Sequence, residues 1–223
     1  MDKRKNYYCT VDTETCGDIK TDSQLVYDIG WSIHDKRATA EIERSFIVYE
    51  IYCKEKDLMA SAYYADKIPM YEKDIKSGKR KIARWATIEK IFRADCLDYN
   101  VKAIIAHNAR FDNIAVNNTS RYITNGEKRF FYPYGIELWD SLKMASDTIG
   151  KQKTYRLFCE TYGFMTNHRK PRPQLKAETL YRYITGDPDF IESHTGLEDV
   201  KIEREITAHC MKQHKKMRKL LYA

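Results

Sequence analysis

The stretch Asn6-Tyr7-Tyr8-Cys9-Thr10-Val11-Asp12-Thr13-Glu14 predicts a β-strand over Asn6–Asp12 that ends in two carboxylates. Asp12 and Glu14 are two residues apart, so their side chains leave the same face of the strand, roughly 7 Å from each other. A strand that enters a protein core rarely ends in two acids on one face unless a cation compensates their charge. Because composition alone produces about one Asp-x-Glu in a chain of this length, the pair needs support from elsewhere in the sequence.

Strands and helices alternate along the first half of the chain, and helices dominate the second half. Further strands are predicted at Leu25–His34, Arg44–Ile51 and Val101–Ala106, and helices at Lys56–Asp74 (broken at Pro69), Arg84–Tyr99, Ala109–Ile123, Ser141–Ile149, Thr154–Tyr162, Leu175–Thr185 and Thr195–Leu221. This order is typical of an α/β fold, and we place no domain boundary within residues 1–223.

The composition is that of a folded, water-soluble protein. Of its 223 residues 43% are hydrophobic, which is enough to bury a core. No apolar run approaches the roughly 18 residues that a membrane span needs, and the basic start Met1–Lys5 leads into no signal peptide. The six cysteines form no Cys-x-x-Cys pair, which argues against a zinc ribbon and a disulfide scaffold. We therefore expect a cytoplasmic protein that has no membrane association.

Basic residues cluster in three places. The chain has 39 lysines and arginines against 32 acids, a formal net charge of +7. Residues 76–84 and the tail 211–223 carry five cations each, residues 167–176 carry four, and none of these segments contains an acid. Such clusters favour a polyanionic partner. Solvated loops and an exposed helix face explain each single cluster equally well.

A second acidic position follows the predicted strand Val101–Ala106. In His107-Asn108-Ala109-Arg110-Phe111-Asp112, the pattern predicts Asn108 as the N-cap of a helix. His107 and Asp112 then flank the first helical turn and come close to each other, as the two residues of a hydrophobic staple do. In the simpler alternative, Asp112 only complements the helix dipole.

A third segment has the same arrangement. Thr195 and Glu198 match a capping box, which predicts a helix that begins after Thr195. His194 and Asp199 then lie next to each other across the first turn. Alternatively, this segment is a well-capped helix that has an exposed histidine beside it.

Together these segments supply four acids and a histidine at the ends of neighbouring elements, where α/β folds place their sites. The residues are Asp12, Glu14, Asp112, Asp199 and His194. Four converging carboxylates repel one another and raise each other's pKa values. A pair of hard divalent cations, Mg²⁺ or Mn²⁺, resolves this repulsion.

The motifs resemble those of the DnaQ-like 3′–5′ exonucleases of the ribonuclease H-like superfamily, in the group called DEDDh. Val11-Asp12-Thr13-Glu14-Thr15-Cys16-Gly17 resembles the first family motif, and His107–Asp112 resembles the second. The third motif is matched by His194 and Asp199, which have four residues between them. The resemblance covers most of residues 6–210, and it implies a single domain whose mixed central sheet is flanked by helices. The chain departs from the family in an insertion-like helical stretch, about 52–100, and in its basic tail.

The resemblance implies a two-metal exonuclease. Asp12, Glu14 and Asp199 would hold one ion, and Asp12 would bridge to a second ion that Asp112 also serves. His194 would be the general base. Thr13 and Thr15 would approach the terminal sugar. Two further residues remain open: Phe111 either stacks on a base or belongs to the core, and Asn108 either caps its helix or contacts the substrate.

The implied substrate is the 3′ end of a nucleic acid, with single-stranded DNA favoured over RNA. The resemblance leaves open whether the enzyme works with a DNA polymerase as its partner, trims ends alone or degrades short oligonucleotides. The composition of the chain, which is small and rich in tyrosine and lysine, resembles that of phage-encoded members, which would act in the host cytoplasm. The alternative is a catalytically idle ribonuclease H-like module that binds nucleic acid or a polymerase. The complete set of acids argues against it, because a binding module does not need four converging carboxylates.

Overall fold

Six strands form one mixed sheet in the order β4-β3-β2-β1-β5-β6. The computed structural model describes residues 5–18, 21 and 23–222, so residues 1–4 of the basic start and Ala223 of the tail lie outside it. The strands are β1 Tyr7–Cys16, β2 Leu25–Asp35, β3 Ala40–Val48, β4 Lys81–Ala83, β5 Ala103–Ala106 and β6 Glu137–Asp140. Strand β2 is antiparallel to both of its neighbours, β1 and β3, whereas β5 runs parallel to β1, β6 parallel to β5, and β4 parallel to β3.

Helices cover both faces of the sheet, and alternate strand residues face opposite layers. The helices are α1 Tyr49–Tyr52, α2 Lys56–Ala60, α3 Ile68–Lys76, α4 Trp85–Asp98, α5 Arg110–Ile123, α6 Ser141–Asp147, α7 Lys153–Tyr162, α8 Ala177–Thr185 and α9 Gly196–Lys212. In β5, Ile104 packs into the apolar cluster under α1 to α5, whereas Ala103 and Ile105 pack into the cluster under α6 to α9. The predicted α/β class is therefore confirmed.

The sequence pattern misplaced several elements. β1 continues past Asp12 to Cys16, so both carboxylates lie within the strand and not at its end. Strands β4 and β6 were not predicted, because three and four residues are too short to show a period. Pro69 does not break a helix: it lies in the first turn of α3, where a missing N–H leaves no hydrogen bond unmade.

The last helix ends at Lys212 and not near Leu221 as predicted. His214 takes a left-handed backbone conformation (φ 52°), which a helix cannot continue through. The following residues run along β6 instead. The N–H of Leu221 donates to the carbonyl of Leu138 (2.8 Å), and the N–H of Asp140 donates to the carbonyl of Lys219 (2.7 Å).

The basic tail is thus pinned to the outer edge of the sheet. Arg218 pairs with Asp147 (2.8 Å), and the Lys219 ammonium lies 3.9 Å from the centre of the Trp139 ring. A covered edge strand cannot pair with another chain. These two cations therefore serve the fold.

Two further observations bear on the composition. All six cysteines are free, as expected for a chain without a disulfide scaffold. Within the described ranges, no helix has the length and apolar character needed to cross a membrane.

His34 is a buried neutral histidine at the far end of β2. Its Nδ1 lies 2.8 Å from the carbonyl oxygen of Asp35, which can only accept, so Nδ1 carries the proton. The Thr10 hydroxyl then donates to Nε2 (2.8 Å). Burial lowers the pKa of His34 from 6.5 to about 4.

This pKa predicts a loss of stability in mild acid. As the pH falls below 6.5, the unfolded chain takes up a proton on His34 before the folded protein does, so the free energy of unfolding decreases until about pH 4. We expect His34 to remove about 2 kcal/mol between pH 7.5 and pH 5. Urea unfolding of the wild type and of His34→Gln at both pH values measures this, and equal pH dependences would contradict it.

Candidate active site

Asp12 and Glu14 project from the same face of β1, as their spacing predicts. Asp12 pairs across the sheet with Gly30 of β2. The Asp12 Oδ2 atom is buried and has no hydrogen-bond partner among the described residues. Glu14 is 8% exposed. The Asp12 carboxylate therefore has a buried oxygen that no described residue satisfies.

The first turn of α9 rests directly on β2. A Cβ atom built on Gly30 would lie 2.5 Å from the carbonyl carbon of Gly196, so only glycine permits this approach. The Gly196 N–H donates to the carboxylate of Asp28, also on β2 (3.2 Å), and this hydrogen bond helps to fix the start of the helix. Since Gly30 is the cross-strand neighbour of Asp12, this contact sets α9 beside the acids of β1.

Asp199 completes the acidic cluster from this first turn. Thr195 is the N-cap residue of α9, as predicted, although its hydroxyl donates to the Glu198 carboxylate (2.7 Å) instead of capping a backbone N–H. Oxygen atoms of Asp12, Glu14 and Asp199 lie within 4.8 Å of one another. This group is able to hold a metal ion.

Burial and mutual repulsion raise the pKa values of this cluster. Burial, then Asp28, raises the pKa of Glu14 to about 8, and burial, then Glu192 and Glu14, raises that of Asp199 to about 9. The pKa of Asp12 also rises well above its usual range, first through burial and then through Glu203. The carboxylates are thus held together at an electrostatic cost that a bound cation would remove.

Asp112 approaches the same region from α5. It is 3% exposed, and the Thr13 hydroxyl donates to its Oδ1 (2.8 Å). Burial raises the pKa of Asp112 to about 7, and the charge of Asp112 raises in turn the pKa of Asp12 and Glu14. Asp112 is therefore close enough to Asp12 and Glu14 to act on them electrostatically, whereas the close group of carboxylate oxygens is that of Asp12, Glu14 and Asp199.

The predicted start of α5 was wrong by one residue. Ala109 is the N-cap position, and Asn108 precedes it in a left-handed conformation (φ 63°), its N–H donating to Asp140 Oδ1 (3.1 Å). The predicted pairing of His107 with Asp112 is not formed. Instead, the His107 ring is hydrogen-bonded to the Ser141 hydroxyl (2.9 Å) and the Leu175 carbonyl (2.7 Å).

His194 stands beside Asp199, outside the helix. Its side chain is 36% exposed, and its Nδ1 lies 3.7 Å from the Glu192 carboxylate. Burial, followed by the Lys67 charge, lowers the pKa of His194, which keeps the ring neutral at pH 7. Ligand atoms of Glu192, His194 and Asp199 also lie within 4.8 Å of one another, so they form a second group able to hold a metal ion.

Two acids of the site were missed from the sequence. Glu203 is 4% exposed and accepts the His107 N–H (3.1 Å). It lies one helical turn after Asp199, and this spacing was a usable signal. Glu192 lies in an irregular segment where no periodicity indicates its direction.

The first basic cluster is in part structural. Arg80, whose side chain is 3% exposed, pairs with Asp28 (3.1 Å), Asp74 (3.1 Å) and Glu198 (3.0 Å). It therefore ties α3 to β2 and to the start of α9. Lys79 lies 3.3 Å from Asp74 and 3.9 Å from Glu198. The ion pairs of Lys79 and Arg80 therefore stabilise the elements that carry the acidic cluster.

The second basic cluster is exposed. Residues 164–174 form a turn closed by a bridge between Met165 and Pro173. Arg169 and Lys170 are exposed at its tip. Lys176, just after the turn, is close enough to lower the pKa of His194. Of this cluster, Lys176 therefore lies near His194.

The structure also places the other predicted site residues. Thr15 and Phe111 are half-buried, Asn108 is exposed, and Thr13 is buried against Asp112. Phe111 belongs to neither apolar cluster of described residues. Their contact with a substrate stays a prediction.

The chain is similar to solved structures of exonuclease I. Product-bound exonuclease I matches it with a TM-score of 0.55 at 12% sequence identity, over 94% of this chain and 44% of that one. The chain has a ribonuclease H-like fold. The E. coli enzyme in complex with a 5cy-dT13 oligonucleotide matches with a TM-score of 0.51 at 11% identity, over 94% and 41%. The zinc-bound E. coli complex with single-stranded DNA matches at 0.50 and 12%, over 95% and 41%.

This likeness confirms the predicted fold class, and the chain spans less than half the length of exonuclease I. No protein-family model matches the chain, and no curated protein matches its sequence.

The contact between Gly30 and α9 predicts a sharp effect of one methyl group. Gly30→Ala forces the start of α9 away from β1, so we expect the free energy of unfolding to decrease by about 2 kcal/mol and Mn²⁺ affinity to fall at least tenfold. Urea unfolding in EDTA and calorimetric Mn²⁺ titration measure the two effects.

Gly78→Ala is the control for a glycine whose Cβ would have free space. Unlike Gly30, Gly78 has a left-handed backbone (φ 77°) that alanine strains, but a Cβ there meets no atom within 4 Å. We expect this change to cost about 1 kcal/mol and to leave Mn²⁺ affinity unchanged. Equal Mn²⁺ affinities of wild type and Gly30→Ala would contradict the account.

Proposed function

We propose that this protein is a metal-dependent 3′–5′ exonuclease that hydrolyses phosphodiester bonds in single-stranded DNA, with RNA as a second substrate. The observation that carries the proposal is the convergence of Asp12, Glu14 and Asp199 beside the half-exposed His194. The ribonuclease H-like fold, similar to that of exonuclease I, supports it.

The donor set fits divalent metal ions. Carboxylate oxygens are the ligands that Mg²⁺ and Mn²⁺ prefer, and the buried Oδ2 of Asp12, which has no hydrogen-bond partner among the described residues, is suited to bind such a cation. Asp12, Glu14, Asp112 and Asp199 would hold two ions, which supply charge stabilisation to the oxygens of the scissile phosphodiester. One solved structure with the same fold, an exonuclease I complex, contains a zinc ion.

His194 is the general base in this proposal. Its ring is neutral and in part open to solvent, so it can accept a proton from the attacking water. Its position just before α9, five residues from Asp199, supports the DnaQ-like DEDDh type.

The remaining residues would bind the strand. Thr15, Asn108 and Phe111 would contact the terminal nucleotide, with Thr13 acting through Asp112. Arg169 and Lys170 would contact phosphates, which makes binding sensitive to salt and largely independent of sequence.

Removal of one carboxylate tests the proposal. We expect Asp12→Asn and Asp199→Asn each to lower the rate of nucleotide release about 1000-fold, because the charge that holds the ions is lost while the shape is kept. The assay is a time course on 5′-labelled DNA and RNA oligonucleotides with Mg²⁺ or Mn²⁺. Asp98→Asn, at an exposed acid of α4, is the matched control and should keep wild-type activity.

The product pattern decides between the candidate functions. An exonuclease of this polarity shortens the 5′-labelled strand stepwise and leaves circular single-stranded DNA intact. Cleavage of the circle would indicate an endonuclease. A wild type that binds the oligonucleotide but releases no product would support the idle module, and full activity of either variant would refute the site.

A further inference from the structure

A segment between α2 and α3 lies over the histidine of the site. The Tyr64 ring stacks on the His194 ring, with centroids 4.6 Å apart and planes inclined by 16°. Tyr64 is followed by a single 3₁₀ turn, Ala65–Lys67. This segment belongs to the stretch 52–100, in which the chain departs from the family motifs.

Lys67 holds the same loop through its backbone. Its ammonium donates to the carbonyl oxygens of Ser193 and His194, the second at 3.4 Å. The ammonium also lies 4.3 Å from the centre of the Tyr64 ring, a cation–π distance. The backbone that Lys67 binds is unusual, because His194 has a left-handed conformation (φ 50°) that costs free energy unless contacts stabilise it.

The stack lies at the acidic cluster. Burial raises the pKa of Tyr64, and the charges of Glu14, Glu192 and Asp199 raise it further. Lys67 in turn lowers the pKa of His194 and opposes the rise at Glu14 and Asp199. Both side chains are therefore close enough to these groups to act on them electrostatically.

Stacking restricts an imidazole in a defined way. A histidine outside a helix and 36% exposed has several side-chain rotamers, and only some of them direct a ring nitrogen to the acids. A ring stacked on one face keeps its orientation, while the stack makes no use of the nitrogen atoms at the ring edge.

We propose that Tyr64 and Lys67 are positioning residues that hold the His194 ring and its backbone in place beside Asp199. The proposal rests on the proposed function, because the orientation of His194 matters for turnover only if His194 transfers a proton. It also assigns a role to part of the stretch 52–100.

The first test separates turnover from binding. We expect Tyr64→Ala to lower kcat between about 10- and 100-fold with little change in KM, because a misplaced base slows the chemical step. Tyr64→Phe keeps the stack and should stay within about threefold of wild type. Lys67→Gln should fall between them. Tyr134→Ala removes a fully exposed tyrosine and should leave kcat unchanged. A normal kcat for Tyr64→Ala, or equal losses for Tyr64→Ala and Tyr64→Phe, would overturn the proposal.

A double-mutant cycle shows whether the effect passes through the histidine. In a His194→Ala background, Tyr64→Ala should cause no further loss of kcat. An additional tenfold loss there would mean that Tyr64 acts elsewhere, and would overturn the proposal.

A spectroscopic measurement does not depend on activity. In the substrate-free protein, the ring-current field of Tyr64 shifts the carbon-bound ring protons of His194. We expect their resonances, assigned with His194→Ala, to move on Tyr64→Ala and to stay near their positions on Tyr64→Phe. Unmoved resonances would overturn the stacking. A shift in a wild type that cleaves no nucleic acid would support the stacking but refute the nuclease function.

Discussion

The close contact between the backbones of Gly30 and Gly196 determines where the acids of this protein meet. A strand and a helix normally stay apart by the size of their side chains, and here both partners lack one. The contact lies opposite Asp12 in the sheet and immediately before the turn that carries Asp199. Any larger residue at either position would separate Asp12 from Asp199, which the proposed metal site brings together.

The carboxylates of the site repel one another, and contacts with the surrounding residues hold them together in spite of this repulsion. The pKa values of Glu14 and Asp199 rise far above those of ordinary carboxyls, which shows how strongly burial and neighbouring charge oppose their ionisation. Arg80 forms ion pairs with the neighbouring acids Asp28 and Glu198, and the Thr13 hydroxyl holds Asp112 in place by a hydrogen bond. The supporting residues thus hold the geometry, and a divalent cation would complete the charge balance.

Long, regular patterns made much of this predictable. α4 has an apolar face with helical spacing, β1 and β2 are rich in strand-forming residues, and the capping pattern at Thr195 placed Asp199 correctly. The same logic misplaced the start of α5, because Asn108 takes a left-handed conformation and leaves the capping position to Ala109. The roles of Tyr64 and Arg80 were not predictable, since each contacts residues more than 100 positions away along the chain, and no local pattern reports such pairs.

In the proposed function, the carboxylates of β1 and α9 form a divalent-metal site. Anomalous diffraction from crystals grown with Mn²⁺ tests it most directly, because the signal locates the ion without reference to activity. We expect an anomalous peak within bonding distance of Asp12, Glu14 and Asp199. Anomalous peaks at other positions, with none between these carboxylates, would contradict it.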